Sequence, residues 1–315
     1  MILRTTMNLG SLLCILTLFQ TTGFAAEKKT TIKLLTVGNS FAWNATKYLK
    51  KIVESAPGCT LLMASANVGG GPLNQHYDMA MKSEKDKSFK PYGFRDPITH
   101  KYSKVSLKTA LGAEKWDIVT MQQYSAYSFK REKFEPHFDN VYAYIKKYAP
   151  GAKIFIHQTW AYRADDGRFR KDGFTQEKMY EQLTENYRFY AKKYHCTILP
   201  SGAAFQLCRK LQNPAFTFPD PDFDYKNPVK GTLPKQPGSL HPGYRWRKTG
   251  KFSFDSHHAN DRGCYLAGCT WFEVLFGQDA RTISHTPDSL DPEDAAFLRE
   301  TAHTAVSTFK QVENE

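Results

Sequence analysis

The sequence predicts an α/β domain: a mainly parallel sheet with helices on both faces. Three observations carry this. Short apolar runs recur along the chain, and longer stretches with helical spacing separate them. The central runs, Ile118-Val119 and Ile154-Phe155-Ile156, are apolar at successive positions. Successive apolar residues suit strands buried on both faces, as in a parallel sheet. Alternating strands and helices are the pattern of such a sheet.

The predicted strands cover residues 32–37, 60–68, 117–122, 153–158 and 197–199. Helical spacing runs through 44–54, 134–148 and 175–194. A further helix is expected over 262–276. The last begins at Asp291-Pro292-Glu293, which joins a cap residue, a proline at the first helical position and an early acid. Two insertions read as irregular. Residues 82–103 are charged and carry Pro91, Gly93 and Pro97. Residues 211–251 hold Pro214, Pro219, Pro221, Pro228, Pro234, Pro237 and Pro242. The second also holds Phe216, Phe218, Phe223, Tyr225, Tyr244 and Trp246, a content that argues against simple disorder. Long loops in compact domains tend to be functional, and this one leads into Asp255 and His258. It is expected to wall the active-site cleft and to set substrate choice.

The first 26 of the 315 residues read as a secretory signal peptide. Arg4 precedes an apolar stretch from Leu9 to Phe19, and Gly23-Phe24-Ala25-Ala26 offers a small-residue cleavage site. The remainder, 27–315, is expected to be one domain, secreted or periplasmic, with no stable membrane insertion. Cys14 follows Leu13, which is not small, so a lipoprotein box is a poor fit. The formal net charge is +12. Lys and Arg are scattered among acids, so the charge implies no nucleic-acid partner; an acidic polysaccharide ligand fits it. Cys59, Cys196, Cys208, Cys264 and Cys269 lie beyond the signal peptide, with no C-x-x-C, so zinc is not expected and at most one disulfide is. The chain has 22 Phe, 17 Tyr and 5 Trp, more than surface roles need, and most should be core.

The chemistry begins at Leu34-Leu35-Thr36-Val37-Gly38-Asn39-Ser40-Phe41. Here a strand ends in Gly-Asn-Ser and a helix follows. Open α/β sheets bind ligands at that edge. Ser40 is the candidate nucleophile, and its position at a helix start gives its backbone N–H a role at an oxyanion. A serine hydroxyl needs a base. Asp255-Ser256-His257-His258-Ala259-Asn260 supplies one. Asp-x-x-His can present a base and the carboxylate that orients it, which selects His258 over its neighbour His257. His76, His100, His137, His157, His195 and His241 have no matching constellation and read as structural or surface residues. Val68-Gly69-Gly70-Gly71-Pro72 follows the second strand, where glycines let the backbone present N–H groups. Met121-Gln122-Gln123-Tyr124 ends the third strand, where a glutamine amide is a possible donor.

Gly38-Asn39-Ser40-Phe41, the glycines after the second strand, the amide after the third, and Asp255-x-x-His258-x-Asn260 resemble the four motif blocks of the SGNH/GDSL hydrolases. Trp116-Asp117 leading into Gln122, Gln158-Thr159-Trp160-Ala161-Tyr162 and Gly263-x-Tyr265-Leu266-Ala267-Gly268 look more closely like a secreted bacterial branch of that superfamily, labelled a domain of unknown function. The resemblance implies a flavodoxin-like three-layer α/β/α sandwich with sheet order 2-1-3-4-5. It implies Ser40 as nucleophile and first oxyanion donor, His258 as base, Asp255 as its orienter, and Gly70 or a neighbour as second donor. No metal or organic cofactor is implied. The usual Gly-x-Asn of the third block is absent, and Gln122, or alternatively Gln123, stands in for it.

The expected function is ester hydrolysis through an acyl-enzyme, on a small-molecule or polysaccharide ester and most simply a carbohydrate O-acetyl ester. One alternative is a catalytically impaired carbohydrate-binding exoprotein on the same scaffold. Another is a lipase- or thioesterase-like acyl hydrolase.

Overall fold

A computed structural model describes residues 29–170, 173–309 and 311. The predicted signal peptide lies outside the described residues. Strand β1 (Thr30–Gly38) is the second of five parallel strands, flanked by β2 (Cys59–Asn67) and β5 (Ile118–Met121). The sheet continues through β6 (Lys153–His157) to β7 (Thr197–Leu199). Its order, β2-β1-β5-β6-β7, is the 2-1-3-4-5 order once strands outside the sheet are set aside. The central strand β5 is buried at all four residues, as its uninterrupted apolar run requires.

Helices pack in two layers. One contains α1 (Ser40–Thr46), α2 (Leu49–Glu54), α7 (Ser201–Leu211), α8 (Asp261–Phe276) and α9 (Pro292–Thr308). The other contains α3 (Leu73–Lys85), α4 (Leu107–Leu111), α5 (His137–Tyr148) and α6 (Gln176–Tyr194). Between α5 and α6 the aromatic content is spent on packing: Phe138 stacks on Tyr190 at 4.3 Å and Tyr142 on Tyr194 at 3.9 Å. No described helix is long and apolar enough to cross a membrane, and none of the five described cysteines forms a disulfide.

Three expectations are revised. The helix predicted over 44–54 starts at Ser40, where Asn39 caps it, and splits into α1 and α2. The 82–103 insertion begins inside α3 and then forms the hairpin β3 (Tyr92–Arg95) and β4 (Tyr102–Val105). The 211–251 insertion is irregular to Pro242 and then forms β8 (Gly243–Trp246), which pairs with β9 (Phe252–Asp255). Asp255 is thus the last residue of a hairpin strand.

Candidate active site

At the end of β1, Gly38 leads into Asn39 and Ser40. A Cβ at Gly38 would lie 2.9 Å from Oε1 of Gln122, so glycine is required by close approach. Asn39 is fully buried and ties three segments together. Its Oδ1 accepts from Phe41 N–H at 3.0 Å, capping α1, and from Gln122 Nε2 at 2.9 Å. Its Nδ2 donates to the Gly71 carbonyl at 3.1 Å, fixing the glycine turn beside the serine. Ser40 is the first residue of α1, where a backbone N–H has no partner within the helix. Gly70 is exposed and has φ +65°, a conformation suited to glycine.

His258 Nε2 lies 2.9 Å from Ser40 Oγ. Its Nδ1 lies 3.0 Å from Asp255 Oδ2 and 3.2 Å from Oδ1. An ionised carboxylate only accepts, so Nδ1 carries the proton and the Nε2 lone pair faces the serine hydroxyl. Asp255 also receives the His258 backbone N–H at 3.2 Å and Arg245 at 2.9 Å. Burial opposes ionisation of Asp255, but the bonds and charge from His258 and His257 outweigh it. Its carboxyl is held below the usual carboxylate range. His257 approaches the same carboxylate at 3.3 Å but does not reach Ser40; burial and the neighbouring His258 lower its pKa.

The loop that carries His258 is braced on every side. Ala259 N–H donates to Asn44 of α1 at 3.1 Å, and Asn260 caps α8 through Gly263 N–H. Trp160 donates its indole N–H to the His257 carbonyl at 2.8 Å while stacked between Phe41 and Phe205, each at 4.4 Å. His241 donates Nδ1–H to the His258 carbonyl at 2.9 Å and accepts from Arg209 at Nε2, 2.8 Å away. Burial, with Arg209 beside it, pushes the His241 pKa well below its ordinary value.

Two further buried histidines support the nucleophile. His76 Nε2–H donates to the Gly38 carbonyl at 3.0 Å, and Tyr92 donates its hydroxyl to Nδ1 at 2.9 Å. His157 Nδ1–H donates to Gln122 Oε1 at 2.6 Å. Burial lowers their pKa values to about 4 and about 3, so both are neutral.

Both candidate amides of the third block have protein partners. Gln122 is 1% exposed, with Nε2 on Asn39 and Oε1 on His157. Gln123 is buried as well: Oε1 accepts from Leu73 and Tyr124, and Nε2 donates to the Lys133 carbonyl. Gln122 thus braces Asn39. The parts that sequence reasoning missed are Asn39 as an organiser, the three neutral histidines and Arg245. A polar residue at the end of an apolar strand was the one visible signal for Asn39 and His157.

Two groups of described residues bring potential metal donors within 4.8 Å: Asp255, His257 and His258, and Glu273, Asp279 and His303. In the first, both nitrogens of His258 are already engaged by Asp255 and Ser40.

The family model of DUF4886, a domain of unknown function, matches residues 33–215. The chain belongs to the DUF4886 family. A crystallised DUF4886 protein from Bacteroides uniformis is 23% identical, covers 89% of this chain and 96% of its own, and superposes with a TM-score of 0.66. That likeness shows the shared fold. A candidate SGNH hydrolase from Slackia heliotrinireducens is 17% identical over 78% of this chain and all of its own, with a TM-score of 0.45. A candidate GDSL-like lipase from Parabacteroides merdae is 12% identical over 80% of this chain and 98% of its own, with a TM-score of 0.44. No curated protein matches the chain. Family membership and the 2-1-3-4-5 sheet agree with the SGNH-type resemblance drawn from the motif blocks.

Proposed function

We propose that this DUF4886 protein is an exported serine ester hydrolase that removes acyl groups, most simply acetyl, from a carbohydrate. One observation carries the reading: an unbroken path from Ser40 Oγ through both nitrogens of His258 to Asp255. His258 Nε2 takes the serine proton as Oγ attacks the acyl carbonyl. The N–H groups of Ser40 and Gly70 hold the oxyanion. His258 then protonates the leaving alcohol, and an acyl-enzyme on Ser40 remains. Water repeats the sequence, with its proton passing to His258 and then to Ser40. Asp255 keeps the proton on Nδ1 and stabilises the imidazolium. Export rests on the apolar stretch near the N-terminus.

Hydrolysis of p-nitrophenyl acetate and butyrate by wild type and Ser40→Ala tests this. Turnover should vanish in the variant and fall as the acyl chain lengthens. Preference for long acyl chains would instead indicate a lipase- or thioesterase-like enzyme. The engagement of Gln122 favours one other reading, an impaired carbohydrate-binding protein. Losing one oxyanion donor costs about 10²–10³ in rate. Glycan binding with no Ser40-dependent turnover would decide for it.

A further inference from the structure

In the β8–β9 hairpin Gly243 pairs with Asp255, Arg245 with Ser253 and Trp246 with Phe252. Cross-strand partners share a face, and successive residues alternate between faces. One face therefore carries Tyr244, Trp246, Phe252 and Phe254. Phe252 stacks on Phe223 of the insertion, and Tyr244 and Phe254 close over the buried guanidinium of Arg163. The other face carries Asp255, Arg245 and Ser253. At the turn it continues to Arg247 and Lys251, joined by the Arg247 N–H to the Lys251 carbonyl. Arg245, Arg247 and Lys251 are exposed.

The row of cations starts at the triad, where Arg245 holds Asp255 at 2.9 Å. At about 3.3 Å per residue it extends ~13 Å outward to Lys251. Asp255 is the only acid on residues 243–255, and its charge is shared with His258, His257 and Arg245. Among the described residues no ion pair engages Arg247, Lys248 or Lys251. A second cation approaches from the loop after β6. Arg168 lies over the Tyr162 ring at 4.8 Å, and that ring flanks His257 at 5.7 Å. Arg168 is paired with the buried Asp166 at 3.0 Å, and Asp165 with Arg163, so the unpaired charge lies on the hairpin row.

We propose that this row is a subsite for the carboxylates of a uronate-containing polysaccharide, which lies along the hairpin while one of its ester groups reaches Ser40. The inference rests on the ester-hydrolase reading and names its substrate class. A small neutral ester would leave the row empty. Successive uronates would meet Arg245 and then the side-by-side Arg247 and Lys251, through charge-assisted bonds at an exposed surface that salt weakens.

The test uses polygalacturonate, its acetylated form, and acetylated xylan as the neutral counterpart. Binding is measured with Ser40→Ala, so turnover does not contribute. Polygalacturonate should bind at low salt and weaken as salt rises. The double variant Arg247→Glu with Lys251→Glu should weaken that binding about tenfold, and in the Ser40 enzyme should raise KM for the acidic polymer about tenfold more than for xylan. Arg247→Lys should retain binding, and matching circular dichroism and unfolding temperatures establish that the variants fold. Binding insensitive to salt and charge, an equal effect on both polymers, or tighter binding of single-stranded DNA would overturn the proposal. Charge-dependent polyuronate binding without Ser40-dependent hydrolysis of either polymer would support the subsite and overturn the hydrolase reading.

Discussion

The position of Ser40 depends on a buried neighbour. Asn39 caps its helix, holds the Gly71 carbonyl and receives Gln122. Asn39→Ala removes all three contacts. It should cost about 1–3 kcal/mol of stability, as expected for a lost cap and stranded buried partners, together with activity; chemical denaturation and kcat measured on one preparation check both. Asp255→Asn should leave the fold intact and lower kcat by up to about 10⁴, because the amide no longer selects the base tautomer. Of these residues, Ser40, Asp255 and His258 were legible in the sequence. The Asp-x-x-His spacing is local, and only together with a serine at a strand end does it mark a hydroxyl and its base. The bonds of Gln122 to Asn39 and His157 were not legible, because a pairing across strands has no sequence spacing to betray it.

At the scale of elements, the strands were legible from their apolar runs, while the short hairpins were not. Tyr92–Arg95 pairs with Tyr102–Val105, segments rich in charge and turn residues that give no alternation strong enough to see. Yet β3 delivers Tyr92 to His76, and so to the carbonyl of Gly38. Tyr92→Phe should cost about 1 kcal/mol through one lost buried hydrogen bond, read as a lower denaturation midpoint with an unchanged m-value. The hairpin β8–β9 shows the same dependence in a glycine. Gly243 has φ +61°, and a Cβ there would collide with Arg163 Nη1. Gly243→Ala should therefore displace the hairpin and with it Asp255, and kcat should fall more than the unfolding temperature suggests.

For the molecule as a whole, buried neutral histidines set the response to acid. His76 and His157 have folded pKa values of about 4 and about 3, below the unfolded value of 6.5. Between those limits the unfolded chain binds protons that the folded one refuses, so stability falls as pH falls. The contribution is complete above 6.5 and is lost on the way down to 4 and 3; for His76 it is on the order of 3 kcal/mol. Asp255, held below the carboxylate range, adds a loss of the same sign at lower pH. Unfolding temperatures recorded from neutral pH down to pH 4 should decline steadily, and His76→Gln should flatten the decline. The overall architecture was readable because a parallel sheet demands continuous apolar strands. The acid sensitivity was not, since a histidine in a sequence does not disclose whether it will be buried.

Asp255 and the end of the insertion lie on the two strands of one hairpin, so the two ends of the insertion are unequal. Its final stretch cannot change length without moving the triad: Gln236 holds Tyr244, and Ser239 and His241 are tied to Asn260 and His258. Its outer turn is held to the hairpin beyond its tip, where the Trp246 indole donates to the Thr232 carbonyl at 2.7 Å. Val229 is 69% exposed, and residues 229–231 project into solvent. A foreign glycan-binding peptide grafted at 229–231 would retarget the protein to another polymer and leave the Ser40–His258 distance as it is.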